Sequence, residues 1–273
     1  MAIGFAKKVV AIGGGSLEVC APIHAEIVRL SGRARPRVLF LSAASGDNEA
    51  YEQEFEAAFR PLNCEVDVLR LVRGSADPSE VGGQMAKADV IYVGGGDLFA
   101  LLSILRAQRV DRMLAEAASR GAVLAGTSAG ANLWFRFGLT DSEKFRSPLQ
   151  WTLQRVQGLG FIDALGCPHF HTQRREERLK DLVAEYGEMA IALDDGAALV
   201  VQEEQFRIVV ASRAAQAYRI YKEGMEVVVE RLVPLREAQD LAVLLTRGSN
   251  SPFERLPRDA VSPRLPSMDM PGE

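Results

Sequence analysis

The chain has 273 residues, 48% of them hydrophobic and 25% charged, with a formal net charge of -4. That length supports one large domain with a sizeable core, and the mildly acidic balance excludes the basic stripe that nucleic-acid binding wants. Three cysteines, Cys20, Cys64 and Cys167, stand far apart without a C-x-x-C pair, which argues against a disulfide or zinc framework.

The opening "MAIGFAKKVVAIGGG" holds only a short apolar run ending in glycines, so it reads as a first strand and not as a signal peptide. No apolar run approaches the roughly 18 residues of a membrane span. A soluble, cytoplasmic protein is expected, with no membrane or nucleic-acid partner; a homodimer stays open.

Strands and helices then alternate. "KVVAIGGG" (8–15) is a β-rich run stopped by glycines, 18–31 reads as a helix, and "PRVLFLSAASGD" (36–47) as a buried strand. Tyr51, Phe55, Ala58 and Phe59 recur at helical spacing over 48–60. "CEVDVLRLV" alternates like a strand, and Asp77 with Pro78 opens a short helix. "ADVIYVGGGD" is a strand into a glycine loop, 98–118 a long helix, and "GAVLAGTS" a fifth strand. This order predicts an α/β fold with a doubly wound, mostly parallel sheet. Ligands gather at the carboxyl ends of such strands, here "GGGS", "ASGD", "GGGD" and "TSAG".

Beyond 138 the pattern changes. Residues 138–156 read as an irregular excursion, 158–172 as a strand and turn, and about 174–186 as a charged helix. Short strands and hairpins then finish the sheet. One domain is expected over 1–232, followed by a Pro-rich, partly disordered extension over 233–273.

"GTSAG" (126–130) fits the G-x-S-x-G nucleophile elbow, which needs a strand before it and a helix after it. Both are predicted, so Ser128 is the candidate nucleophile; the plainer reading is a tight turn that contains a serine. Three histidines are available as base: His24, His169 and His171. His24 lies on the first helix and reads as a surface or packing residue. His169 and His171, at i and i+2, should point to opposite faces, so only one can meet Ser128. The pair could instead bind metal. Candidate acids are Asp141, Glu143, Asp194 and Asp195, and "DDG" (194–196) also fits a plain turn. Oxyanion donors are expected from Gly95, Gly96 and Ala129. "GGGS" (13–16) fails the dinucleotide-binding pattern, because Glu18 stands where its third glycine belongs.

"IYVGGGDLFALL", "GTSAGANLWF", "GLGFIDALGCPHF", "DDGAALVV" and "SRAAQAYRI", in that order, resemble the peptidase E and cyanophycinase group of serine peptidases over roughly residues 8–232. The resemblance implies a fold like class I glutamine amidotransferases, Ser128 as nucleophile, His169 as base and no metal or organic cofactor. Its acid maps less cleanly, with Asp141 preferred to Glu143. The family has Asn where this chain has Asp97, and Asp97 is expected to hold the substrate's free amine. In the run Arg174, Arg175, Arg178 and Lys180, a solvated helix face is the plainer reading; Arg178 is the candidate for a substrate aspartate.

The expected activity is that of a metal-independent serine peptidase on short peptides, a dipeptidase releasing N-terminal aspartate through an acyl-enzyme. The alternatives are a cyanophycinase-like β-aspartyl peptidase and a catalytically silent binder of a small acidic ligand. An ordinary α/β-hydrolase fits less well, since its histidine usually lies much further along the chain.

Overall fold

The computed structural model describes residues 8–73, 77–172, 175–234, 237–248 and 251–257. The first half builds β1 (Lys8–Ile12), α1 (Ala21–Ser31), β2 (Arg37–Leu41), α2 (Glu49–Phe59), β3 (Glu65–Leu69), α3 (Pro78–Lys87) and β4 (Val90–Val93). It continues through α4 (Leu98–Ala107), α5 (Val110–Ser119), β5 (Val123–Thr127) and α6 (Ala129–Trp134). The single helix expected over 98–118 is two helices, broken where Arg109 adopts a left-handed φ of 58°.

The second half forms β6 (Phe135–Thr140), β7 (Gln154–Gln157), β8 (Ile162–Pro168), α7 (Arg175–Tyr186), β9 (Ala190–Leu193) and β10 (Ala197–Gln202). It ends with β11 (Gln205–Val210), β12 (Ala217–Glu223), β13 (Glu226–Leu232), β14 (Gln239–Asp240), α8 (Leu241–Leu245) and β15 (Glu254–Arg255).

The strands make two sheets, not one sheet finished by hairpins. The first runs β14-β11-β10-β1-β5-β4-β2-β3, and the second β15-β13-β12-β9-β8-β6-β7. In the first, β1, β5, β4, β2 and β3 are parallel, as the apolar runs and intervening helices predict. Alternate residues of β1 enter opposite cores. Val10 and Ile12 pack with α1 and α2, where Phe40, Phe55, Phe59 and Tyr92 gather. Val9 and Ala11 face α4, α5, α6 and the inner side of the second sheet. The outer side of the second sheet packs Leu165, Cys167, Ala190 and Ala192 against Leu179, Leu182 and Val183 of α7.

Register fixes where the loops meet. Ile12 pairs with Thr127 and Val93 with Gly126, which levels the ends of β1, β4 and β5. Pro168 pairs with Leu193 across parallel β8 and β9. The chain then leaves the second sheet, and β10 runs antiparallel to β1 in the first. The turn at 194–196 therefore bridges the sheets beside the end of β1.

Of the expected extension, β14 pairs with β11 and β15 with β13, while residues 258–273 lie outside the described residues. Among the described residues, no helix is long and apolar enough to cross a membrane.

Candidate active site

Ser128 stands between β5 and α6 at φ 55° and ψ −113°. A left-handed φ on a non-glycine residue costs on the order of 1–3 kcal/mol, and the packing around it must hold it there. The flanking glycines explain how. A Cβ on Gly130 would come within 2.1 Å of Val93 O, and one on Gly126 within 2.5 Å of Gly130 O. Only glycines let the helix start this close to the sheet, which turns the serine hydroxyl outward. Ser128 N–H donates to Ile12 O at 3.1 Å, and Ser128 makes no side-chain capping bond to α6.

His169 follows β8 directly, also at a left-handed φ of 54°. Its N–H donates to Gly13 O at 3.0 Å, and Thr172 donates through Oγ1 to His169 O at 2.8 Å, closing the turn. His169 Nε2 lies 2.9 Å from Ser128 Oγ, and Nδ1 lies 2.6 Å from Asp195 Oδ1. In the neutral ring these two contacts fix the tautomer: Nδ1–H donates to the carboxylate, and Nε2 accepts from the serine hydroxyl.

The "GGGS" loop also has a purpose here. A Cβ on Gly14 would lie 2.2 Å from His169 Cε1 and 2.3 Å from Asp195 Oδ1. Gly14 clears the floor beneath the imidazole and the carboxylate, a role hidden by reading the loop only against nucleotide motifs.

Asp141, the expected acid, does not contact His169. Its Oδ2 accepts from Lys144 Nζ at 2.7 Å and pairs with Arg175 Nη2 at 3.0 Å. Burial alone would raise the Asp141 pKa, but Lys144 and Arg175 outweigh it and hold the carboxyl below its ordinary value. Glu143 accepts from Thr152 and Gln154, away from the histidine. The carboxylate on His169 is Asp195, from the segment whose plainer reading was a turn.

A cavity of about 310 Å³ opens over Ser128 and His169, lined also by Gly96, Asp141, Lys144, Phe145, Thr172 and Arg175. Arg175, not Arg178, is the α7 cation that reaches it. Arg175 is buried, donates to Leu139 O at 3.1 Å, and its Nε has no acceptor among the described residues. Arg178 points to Leu153 O at 3.3 Å and does not line this cavity. A signal for Arg175 existed: it shares an i, i+4, i+7 stripe with Leu179 and Leu182.

Gly95 and Gly96 lie beside the serine as expected, with a Cβ on Gly95 only 3.2 Å from Ser128 Cβ. Gly95 N–H, however, points to Tyr51 Oη at 3.5 Å. The N–H groups of Gly96 and Ala129 have no such acceptor among the described residues.

Asp97 is not a free amine anchor. Its Oδ1 caps α4, accepting from Phe99 N at 2.8 Å and Ala100 N at 3.2 Å, and Oδ2 lies 3.8 Å from Arg146 Nη2. Asp and Asn serve equally as N-caps, so the exchange leaves the helix start intact.

Cys167 is buried filler, its thiol pushed up to about 12 by burial. His24 is wholly buried and not a surface residue. His171 faces away from Ser128, toward Tyr218 Oη at 3.1 Å. Among the described residues, no group of His, Cys, Asp and Glu gathers to hold a metal ion.

A serine at a strand-to-helix elbow, backed by an imidazole and a carboxylate on an α/β frame, is the arrangement of a serine hydrolase. The chain belongs to peptidase family S51, a family of serine peptidases, whose profile matches residues 9–209. It is 34% identical over 220 residues to the uncharacterized peptidase YgaJ of Bacillus subtilis, covering 78% of this chain and 92% of that one. It is 30% identical to peptidase E of Citrobacter koseri, covering 71% and 83%. The crystal structure of a peptidase from an acI-B1 Actinobacterium shares the fold, with a TM-score of 0.65 at 20% identity over 86% and 97% of the two chains.

Proposed function

We propose that this peptidase is a metal-independent dipeptidase that releases N-terminal aspartate from short peptides through an acyl-enzyme on Ser128. The observation that carries the reading is the shared cavity: Ser128 and His169 open into the same 310 Å³ as Lys144 and Arg175. Two cations against the single carboxylate of Asp141 leave one positive charge to meet a substrate carboxylate. Lys144 is the partly exposed cation that can meet it, while Arg175 is buried and held by Asp141 and Leu139 O. The small cavity favours substrates of two or three residues.

In this reading Ser128 Oγ attacks the scissile carbonyl while His169 Nε2 takes its proton and passes it to the leaving amine. Asp195 holds Nδ1–H and stabilises the imidazolium. The N–H groups of Gly96 and Ala129 meet the developing oxyanion. Water, activated by the same imidazole, then frees the aspartate.

The test is hydrolysis of α-aspartyl-leucine, β-aspartyl-arginine, a neutral dipeptide and an acyl-blocked aspartyl peptide by wild type and Ser128→Ala, with chelator present. Cleavage of the first, lost in the variant, supports the proposal. Preferred cleavage of the β-linked substrate would move the protein to the cyanophycinase-like reading. No turnover by folded protein would favour a silent binder.

A further inference from the structure

A second histidine–aspartate pair stands behind the first. His171 follows His169 by two positions and Asp194 precedes Asp195 by one, so the same two loops supply both pairs. His171 Nε2 lies 3.3 Å from Asp194 Oδ1 and 3.1 Å from Tyr218 Oη. Tyr218 donates to Gln216 Oε1 at 2.8 Å, and Gln216 N–H donates to Asp194 Oδ2 at 3.2 Å. The ring of contacts runs from the histidine loop across the start of β12 and back to the acid turn. Asp194 N–H closes it further by donating to Gln216 O at 3.0 Å.

We propose that His171 and Asp194 are positioning residues of the active site, tying the histidine loop to the acid turn from the face opposite the His169–Asp195 bond. The proposal rests on reading Ser128, His169 and Asp195 as the catalytic array. Its physical basis is that Asp195 is exposed, with 51% of its side chain accessible, so burial does not hold it against His169. Asp194, only 13% accessible, is the anchored half of the turn. Both pairs sit in short turns, with His169 at a φ of 54° and Gly196 at 75°, so fixing one member of each turn restrains the other.

Asp194, which touches His171 without a hydrogen bond, is itself shifted toward neutrality. Burial pushes Asp194 up to about 7, with Asp195 and Glu176 adding to the rise against the Gln216 N–H. Burial lowers the His171 pKa, against the pull of Glu176. The groups facing the pair are Glu176 and its partner Lys180 on α7, Tyr218 on β12, Cys167 on β8 and Asp195 on the turn itself. Below pH 7 Asp194 is protonated and the turn is relaxed. Above it, a buried carboxylate with a hydrogen-bond-free Oδ1 stands beside Asp195 and Glu176. The catalytic geometry loosens as that charge appears.

The experiment measures kcat and KM from pH 5.5 to 9 for wild type, His171→Phe, His171→Gln and Asp194→Asn, with melting curves for each. His171→Phe should lower kcat about 10- to 100-fold, the scale of a misplaced catalytic group, with KM little changed. His171→Gln should recover part of that loss through Tyr218. Asp194→Asn keeps the acceptor for Gln216 N–H and mimics the protonated acid. Its kcat should match wild type near pH 6 and exceed it increasingly above pH 7. Should His171→Phe fail to fold, the other two variants decide the matter. Wild-type kcat in His171→Gln and a flat Asp194→Asn to wild-type ratio across pH would overturn the proposal. Turnover that survives Ser128→Ala and Asp195→Asn would instead overturn the catalytic reading, and this one with it.

Discussion

His169 Nδ1 and Asp195 Oδ1 lie 2.6 Å apart although 26 positions separate them, while Asp141 is bound to Lys144 and Arg175. The two carboxylates therefore have different tasks, and their variants should separate. Asp195→Asn removes the charge that stabilises the imidazolium and lets an amide N–H face Nδ1 in the wrong tautomer, and should lower kcat by about 10²–10⁴-fold. Asp141→Asn should act on KM through the released cations. Steady-state kinetics on α-aspartyl-leucine decide; a larger kcat loss in Asp141→Asn would reverse the assignment.

Gly14→Ala should cost activity out of proportion to stability. The new Cβ would press on His169 Cε1 and Asp195 Oδ1, both at the open end of the sheet. Gly130→Ala presses instead on Val93 O, in the backbone of a central strand, and should chiefly lower Tm. Melting curves alongside kcat for the two variants test this contrast.

The cavity cations should discriminate among substrates. Lys144 is partly exposed, so Lys144→Met removes its charge without stranding a buried group. Losing a charge-assisted contact of about 1.5–3 kcal/mol predicts a rise of about 10- to 100-fold in KM for an aspartyl dipeptide. A neutral dipeptide should be much less affected. Equal effects on both would remove the charge-recognition argument.

His24 predicts an acid-sensitive fold. It sits among Phe59 and Tyr92 with neither ring nitrogen bonded among the described residues, and burial lowers its pKa from 6.5 to about 4. The unfolded chain takes up this proton first, so the stability is present above pH 6.5 and is lost as pH falls toward 4. The amount is roughly 3 kcal/mol. His24→Leu should melt no lower than wild type near neutrality and show a flatter Tm between pH 4 and 6.5. Unchanged acid sensitivity would locate the effect elsewhere.

Much of this site was legible in the chain because its signals are local. Apolar runs ending in glycine mark the parallel strands, and G-x-S-x-G with a strand before and a helix after marks Ser128. His169 and His171 face opposite ways through the turn that begins at the left-handed His169, not through strand alternation. The acid was not legible for a physical reason: Asp195 meets His169 only because β10 crosses to the first sheet and pairs with β1. Nothing within "LDDGAAL" carries that long-range pairing. The part played by Asp97 is hidden because its cap lies in backbone N–H groups, and that of Arg175 because the charges around it mask the apolar stripe it shares with Leu179 and Leu182. The second sheet was hidden because β8 and β9 read as more strands of the first, while the end of β6 and most of β7 lie in the stretch that reads as an irregular excursion.

The most direct test of an activated Ser128 is labelling with a fluorophosphonate, read by intact mass and peptide mapping in the presence of chelator. Wild type should take up one label at Ser128, Ser128→Ala none, and His169→Ala and Asp195→Asn should label far more slowly. Labelling at another residue, or at wild-type speed without His169, would contradict the account.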